Sequence, residues 1–283
     1  MKNYDFSQIK MIATDLDGTL FLPTGKPSKL TIETFNQLHQ QGYLIVINSG
    51  RPLGSIAKTC KDIPYDWAIG MNGQMILNAK TKQIITNKPL YASDIYQIYA
   101  IAKKYRVVCN IHDDKQSVAI FSYRNLLYGL AYNILEYFRW IGKQKKGFKK
   151  SYYLNIQKCP IKEVGKICFA GPQKQIRALI KELNQSLPQY KCLCVSSNWL
   201  EVLDHSISKG NGLKQVLMHE NLSLAQVIGF GDGENDIELL EACGYSCAMG
   251  NAMPKTIQAA RQQIGTNLED GLAKFIQKYI LTK

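Results

Sequence analysis

No stretch of this sequence approaches the roughly 18 to 20 consecutive apolar residues that a membrane span requires, and Met1 to Ser7 is polar where a secretory leader would carry its apolar segment. A soluble, cytoplasmic protein without a membrane partner is therefore expected. Cys-x-x-Cys pairs are absent, and the eight cysteines are scattered along 283 residues. A disulfide framework is not expected, and Cys192 and Cys194 read as strand residues. Histidine is scarce: His39, His112, His205 and His219 lack the close spacing of a helical zinc site. Repeats and low-complexity tracts are also missing, which excludes solenoid architectures. What remains is 46% hydrophobic and 20% charged, enough to bury a substantial core and to exclude a disordered or collagen-like chain. The length suggests two domains.

Acidic residues are the other shortage. Twenty-two Asp and Glu face 35 Lys and Arg, a net charge of +13. The excess is not spread evenly: residues 84–197 hold 19 Lys and Arg against 6 Asp and Glu, so the other 169 residues carry 16 of each sign. The same segment holds 11 of the 16 tyrosines and the run Lys143-Gln144-Lys145-Lys146-Gly147-Phe148-Lys149-Lys150. Such a composition shift predicts a domain at 84–197 inserted between two halves, 1–83 and 198–283, of another. A basic surface raises the question of a nucleic acid or other polyanion as partner.

The outer segments alternate short apolar runs with amphipathic stretches, the pattern of a parallel α/β sheet. Met11 to Thr14 is a strand ending at Asp15. Ser28 is placed to cap a helix from Lys29 to Gln41, with Gly42 as its left-handed stop. Tyr43 to Asn48 is a second strand, Pro52 opens the next helix, and Trp67 to Met71 is a third strand closed by Asn72-Gly73. Beyond the insert, Val227 to Phe230 forms a strand running into Gly231-Asp232-Gly233. A helix from Glu234 to Cys243, a strand from Tyr245 to Met249 and a helix opened by Pro254 follow. The chemically interesting residues thus fall just past the carboxyl ends of strands, where open α/β sheets bind ligands. The insert mixes helical segments, such as Ala92 to Tyr105, with alternating ones, such as Ser117 to Tyr123 and Lys191 to Ser196, and reads as a smaller α+β unit.

The first strand ends in Asp15-Leu16-Asp17-Gly18-Thr19-Leu20. Two carboxylates leaving a hydrophobic strand are badly placed for packing, since burying unpaired charge is costly. They make sense if a cation and a proton transfer use them. The second strand delivers Ser49-Gly50-Arg51, a hydroxyl and backbone N–H groups suited to cradling phosphate. Further on stand Ile207-Ser208-Lys209-Gly210 and Gly231-Asp232-Gly233-Glu234-Asn235-Asp236. Each has a plain reading when taken singly: a turn or cap at Asp15, a strand-to-helix turn at Ser49, a solvated first-turn residue at Lys209, a loop at Asp232. Four in this order, each at a strand or helix end, make that joint reading improbable.

These motifs resemble those of the haloacid dehalogenase superfamily, whose phosphatases begin with Asp-x-Asp-Gly-Thr. Ala248-Met249-Gly250-Asn251-Ala252 and Thr266-Asn267-Leu268-Glu269-Asp270-Gly271 are similar to the Cof-type (subclass IIB) sugar-phosphate phosphatases. The resemblance implies a Rossmann-like parallel-sheet core and an inserted α+β cap that selects the substrate. It implies Asp15 as nucleophile, forming an aspartyl-phosphate, and Asp17 as the acid that protonates the leaving oxygen and later activates water. It further implies Mg²⁺ held by Asp15, the Asp17 carbonyl and Asp232, with Asp236 behind them. Ser49, the Leu16 and Gly50 N–H groups, Lys209 and Asn235 would hold the transferring oxygens. The expected activity is hydrolysis of small phosphorylated metabolites, a phosphoric monoester hydrolase. In the insert the resemblance rests on position and size alone.

Two other functions compete. A polyanion-binding protein on this scaffold would use the basic insert, but no recognised nucleic-acid motif accompanies the charge. A phosphosugar mutase would also pass through an aspartyl-phosphate. His112-Asp113-Asp114 reads better as a hairpin turn between Cys109 and Ile120 than as a metal cluster. The tyrosines at 91, 96, 99, 105, 128, 132 and 137 have helical spacing and read as half-buried packing, and the Lys143–Lys150 run as a solvated loop. Oligomeric state is not readable from the sequence.

Overall fold

A computed structural model describes residues 4–112, 116–121 and 149–281. The chain divides into two units, one from residues 1–87 and 206–283 and the other from 88–205. In the larger unit, β1 (Met11–Thr14), β2 (Leu44–Asn48), β3 (Trp67–Gly70), β4 (Met75–Asn78) and β5 (Ile84–Thr86) enter first. The chain then builds the smaller unit from β6 (Leu90–Tyr91), β7 (Val108–His112), β8 (Gln116–Ile120), β9 (Lys149–Tyr153), β10 (Glu163–Val164), β11 (Ile167–Ala170), β12 (Tyr190–Ser196) and β13 (Trp199–Asp204). It returns to the first with β14 (Val227–Gly231), β15 (Tyr245–Ala248) and β16 (Gln262–Gln263). The division falls after Asn87 and His205 rather than at 83 and 197. Hydrogen bonding decides this, because β5 pairs with β4 while β13 pairs with β11 and β12.

The large sheet runs β16-β15-β14-β1-β2-β3-β4-β5. All pairs from β16 to β3 are parallel, and β4 and β5 close the edge antiparallel. Strand alternation explains the layers. Ile12, Ile45, Ile47, Ile228 and Phe230 pack on one side with Phe35, Leu38 and Ile56 of helices Lys29–Gln40 and Leu53–Thr59. Met11, Ala13, Val46, Ile69 and Val227 pack on the other with Leu213, Val216 and Leu217 of helix Lys209–Glu220 and Leu239 of helix Ile237–Ala242. Near-continuous apolar strands are what a parallel sheet covered on both faces requires.

Local rules hold at most ends. Ser28 Oγ accepts from the Thr31 N–H at 3.0 Å, and Gly42 is left-handed at φ +82°. Pro52 sits one residue before its helix rather than inside it. The single helix expected over 234–243 is instead a 3₁₀ turn, Glu234–Asp236, followed by helix Ile237–Ala242. The Asp236 carboxylate causes the break by accepting from the N–H groups of Asp232 and Gly233.

The smaller unit carries a sheet ordered β12-β13-β11-β7-β8-β9, antiparallel except between β8 and β9. Helices Ala92–Ala102 and Gln173–Ser186 cover one face through Ile95, Ile98, Ile176, Leu179 and Leu183. The first ends three residues earlier than the pattern suggested. Cys109 pairs with Ile120 across an antiparallel β7–β8, as a hairpin requires; Asp113, Asp114 and Lys115 of its turn lie outside the described residues. So do Tyr128, Tyr132, Tyr137 and most of the Lys143–Lys150 run. Tyr96 and Tyr105 are half-buried and Tyr99 nearly fully so, but Tyr91 is exposed, because β6 is only two residues long and turns its side chain outward. All eight cysteines are free, and no helix among the described residues is long and apolar enough to cross a membrane.

Candidate active site

The Asp15 N–H donates to Phe230 O at 3.1 Å, extending the β1–β14 register by one residue and fixing where the first carboxylate leaves the sheet. Asp236 arrives from the turn after β14, and Lys209 is the first residue of its helix, capped by Ser208 Oγ accepting from the Asn211 N–H. Three separated segments thus meet beyond the carboxyl ends of the two central strands. The Lys209 ammonium donates to Asp15 Oδ1 and to Asp236 Oδ1, both at 2.5 Å, with its side chain fully buried. It is therefore not the solvated lysine its position alone would suggest. Asp232 completes the cluster, and one carboxylate oxygen each from Asp15, Asp232 and Asp236 lie within 4.8 Å of one another.

Asp236 has no oxygen to spare: Oδ1 takes Lys209 and Oδ2 takes the N–H groups of Asp232 and Gly233 at 3.0 and 2.9 Å. It organises the others. Asp232 Oδ1 accepts from Thr19 Oγ1 at 2.7 Å. Gly18 is required between them: its φ is +83°, and a Cβ there would stand 2.3 Å from Asp232 Oδ2. Asn251 Nδ2 donates to Gly18 O and Asn267 Nδ2 to Phe21 O, at 2.8 and 2.7 Å, so two late asparagines hold the 15–21 loop in shape.

Burial pushes the Asp15 carboxyl up to about 7, Lys209 pulling against it while Asp236 and Asp232 push with it. Burial likewise lifts Asp232 to about 6, against the hydrogen bond from Thr19. Burial opposes the Lys209 charge too, but the two carboxylates outweigh it and hold that amine above the ordinary lysine value. The cluster is therefore short of positive charge, and its donors are all hard oxygens. Asp15 and Asp232 fit a hard divalent cation.

Asp17 does not join the cluster through its carboxylate. Arg51 forks onto it, Nε to Oδ2 at 2.7 Å and an Nη to Oδ1, and the guanidinium lies 5.5 Å from the centre of the Phe21 ring. The sequence motif ending in Arg51 gave no sign of this partner, because the pairing crosses from the second strand's loop to the first's. Ser49 is buried, with Oγ accepting from the Arg51 N–H at 3.2 Å. The Leu16 N–H has no acceptor among the described residues, and Gly50 backs onto the Asn72 side chain. Asn235 Nδ2 donates to Asn72 Oδ1 at 3.1 Å, and Asn48 Nδ2 donates to the Lys209 carbonyl at 2.9 Å. Asn48, Thr19 and Asn72 thus also build the site, though the sequence assigned none of them a role in it.

A doubly covered parallel sheet with a lysine-clamped carboxylate cluster at the carboxyl edge of its central strands defines a Rossmann-like α/β enzyme core. The comparison with known proteins gives the particular family: a model of the haloacid dehalogenase-like hydrolases matches residues 12–276, and the chain belongs to that family. The HMP-PP phosphatase of Citrobacter koseri is 29% identical over 252 residues, covering 88% of this chain and 86% of that protein. SMU.1108c from Streptococcus mutans has the same fold at TM-score 0.80 and 23% identity, over 97% of this chain and all of that one. The HAD subclass IIB sugar phosphatase BT4131 matches at TM-score 0.75 and 22% identity, over 95% and 98% of the two chains.

Proposed function

We infer that the protein is a magnesium-dependent phosphatase hydrolysing small phosphorylated metabolites, sugar phosphates or phosphorylated cofactors, through an aspartyl-phosphate. The observation that carries this reading is the asymmetric holding of Asp15. Lys209 engages Oδ1, while Oδ2 accepts no hydrogen bond among the described residues and is left as the nucleophile. Names given to relatives, an HMP-PP phosphatase and a sugar phosphatase, support the substrate class.

Asp15, the Asp17 carbonyl and Asp232 would hold Mg²⁺, which when bound offsets the repulsion between these carboxylates and a phosphate dianion. Asp15 Oδ2 attacks phosphorus and the bond to the leaving oxygen breaks. Asp17 gives that oxygen its proton, which requires the fork from Arg51 to open. Asp17 then takes a proton from water, whose oxygen attacks the aspartyl-phosphate, releasing inorganic phosphate and restoring Asp15. The Ser49 hydroxyl, the Leu16 and Gly50 N–H groups, Lys209 and Asn235 hold the phosphoryl oxygens. The inserted segment, 84–197 by composition, serves as the substrate-selecting cap.

Phosphate release from an aryl phosphate, with and without Mg²⁺, tests the reading in wild type and Asp15→Asn. Magnesium-dependent turnover that disappears in the isosteric variant is expected. Turnover that survives Asp15→Asn would sink the nucleophile assignment; a folded wild type silent on aryl and natural phosphates alike would sink the enzyme reading. Phosphoryl transfer to a second sugar instead of water would make the protein a mutase.

A further inference from the structure

We propose that the smaller unit carries a second binding site, for a small planar aromatic anion, in a cavity between helix Ala92–Ala102 and the segment after β9. The cavity is about 430 Å³ in volume and is lined by Tyr96, Tyr99, Lys103, Leu154, Asn155 and Gln157 among others, none of them acidic. That size suits a small molecule, and the mix of ring surface with a few polar groups is what such sites present. None of these residues belongs to the carboxylate cluster.

Three features point to the ligand. Tyr99 is only 9% exposed as a residue, and its hydroxyl, which is open to water, has no protein hydrogen-bond partner among the described residues. Tyr105 and Tyr190, which belong to the same hydrophobic cluster, each donate to a carboxylate, of Glu182 and Asp94 respectively. A phenol in a cavity wall with no protein acceptor is free to exchange water for an acceptor on a bound molecule. Lys103 ends the same helix and has no carboxylate partner among the described residues, whereas Lys104 beside it pairs with Glu182. Lys162 lies behind the wall, 3.0 Å from the Tyr96 hydroxyl and 3.2 Å from Gln157 O, with its charge 5.6 Å from the centre of the Tyr96 ring. Both of its acceptors are neutral. Two ammonium groups without counter-ions among the described residues, one phenol without a protein acceptor among them and an aromatic wall specify an anionic group attached to a flat ring. The exposed Leu154 side chain, 42% accessible, supplies apolar surface at the rim for that ring to cover.

Naphthalene-2-sulfonate is a suitable probe, since it is planar, anionic and offers no phosphate ester to the catalytic carboxylates. Calorimetric titration of the full chain is expected to give saturable one-to-one binding that an excess of inorganic phosphate does not displace. Lys103→Met should weaken it about tenfold and Tyr99→Phe about threefold, the losses typical of one charge-assisted and one neutral hydrogen bond. Unchanged thermal midpoints would show that both variants fold. 2-Naphthol, which keeps the ring, and cyclohexanesulfonate, which keeps the charge, should each bind at least tenfold more weakly. Absence of saturable binding, displacement by phosphate, indifference to either substitution, or equal binding of either control compound overturns the proposal.

Discussion

Lys209 is the residue whose surroundings leave least freedom. Its ammonium is fully buried between two carboxylates, so removing it leaves two buried or nearly buried charges without their counter-ion. Lys209→Met should therefore destabilise the fold by about 3–5 kcal/mol, measured as a shift of the urea unfolding midpoint, and should abolish phosphate release. Replacing all three charges together would cost less than removing the lysine alone. The acid groups make a second prediction. Burial raises Asp15 to about 7 and Asp232 to about 6 in the folded chain, above the ordinary value of 3.8. Without a divalent cation these protons stabilise the fold at low pH, and that contribution is lost as pH rises through 6 to 7. A cation and protons compete for the same oxygens. The rise in thermal midpoint on adding Mg²⁺ to chelator-treated protein should thus be larger at pH 8 than at pH 5; a gain independent of pH would contradict this account. Gly18→Ala should lose both that Mg²⁺-dependent gain and activity, because φ is +83° and the added carbon meets Asp232.

At the scale of elements, the site is assembled from strand ends and one helix start. Ser208 Oγ caps the Asn211 N–H at 3.1 Å, and its own carbonyl accepts the Gly212 N–H, so the first turn that presents Lys209 is held from both sides. Ser208→Ala should cost about 1 kcal/mol of stability by loss of the cap. The same change should lower kcat more than it changes KM, since Lys209 is displaced from Asp15 while Ser49, the Leu16 and Gly50 N–H groups and Asn235 still hold the phosphate; equal effects on both would argue against a positioning role. Against this turn packs Gly73, at φ +106°, where a Cβ would come 2.1 Å from Ser208 O. The chain after β3 can approach the helix this closely only with glycine there. Such inter-element contacts explain why the partners of Asn48, Asn72 and Arg51 in the site could not be read from the sequence. Their partners lie 161, 163 and 34 positions away respectively, and no periodicity links them.

The whole molecule separates chemistry from charge. Every carboxylate and cation of the candidate catalytic cluster belongs to the larger unit, whereas the +13 excess arises in residues 84–197. A field of that kind raises the local concentration of anions without touching the bond that breaks. Accordingly, kcat/KM for an anionic substrate should fall with ionic strength more steeply than kcat does. Steady-state kinetics across a salt series at fixed free Mg²⁺ would check this, and parallel behaviour of the two constants would remove steering. A labelled oligonucleotide at sub-micromolar protein and low salt tests the polyanion alternative, for which salt-sensitive association would be required.

Much of the architecture could be read from residue order alone. Largely apolar runs of four or five residues mark β1, β2, β3, β14 and β15 because a doubly covered strand needs apolar side chains on both faces. Ser28, Gly42, Asn72 and Gly73 mark ends because caps and left-handed backbone are local requirements. The same locality made Asp15, Ser49, Lys209 and Asp232 stand out, each at the end of a strand or the start of a helix. Only tertiary structure decided which oxygen of Asp15 is tied to Lys209, that Asp236 spends both of its oxygens on support, that Arg51 holds Asp17, and that Tyr99 lines a cavity. The physical reason is the range of the interactions: dihedral preference and hydrophobic alternation act over a few residues, whereas charge pairing and hydrogen-bond satisfaction are settled by whatever the folded chain brings within 3 Å or so.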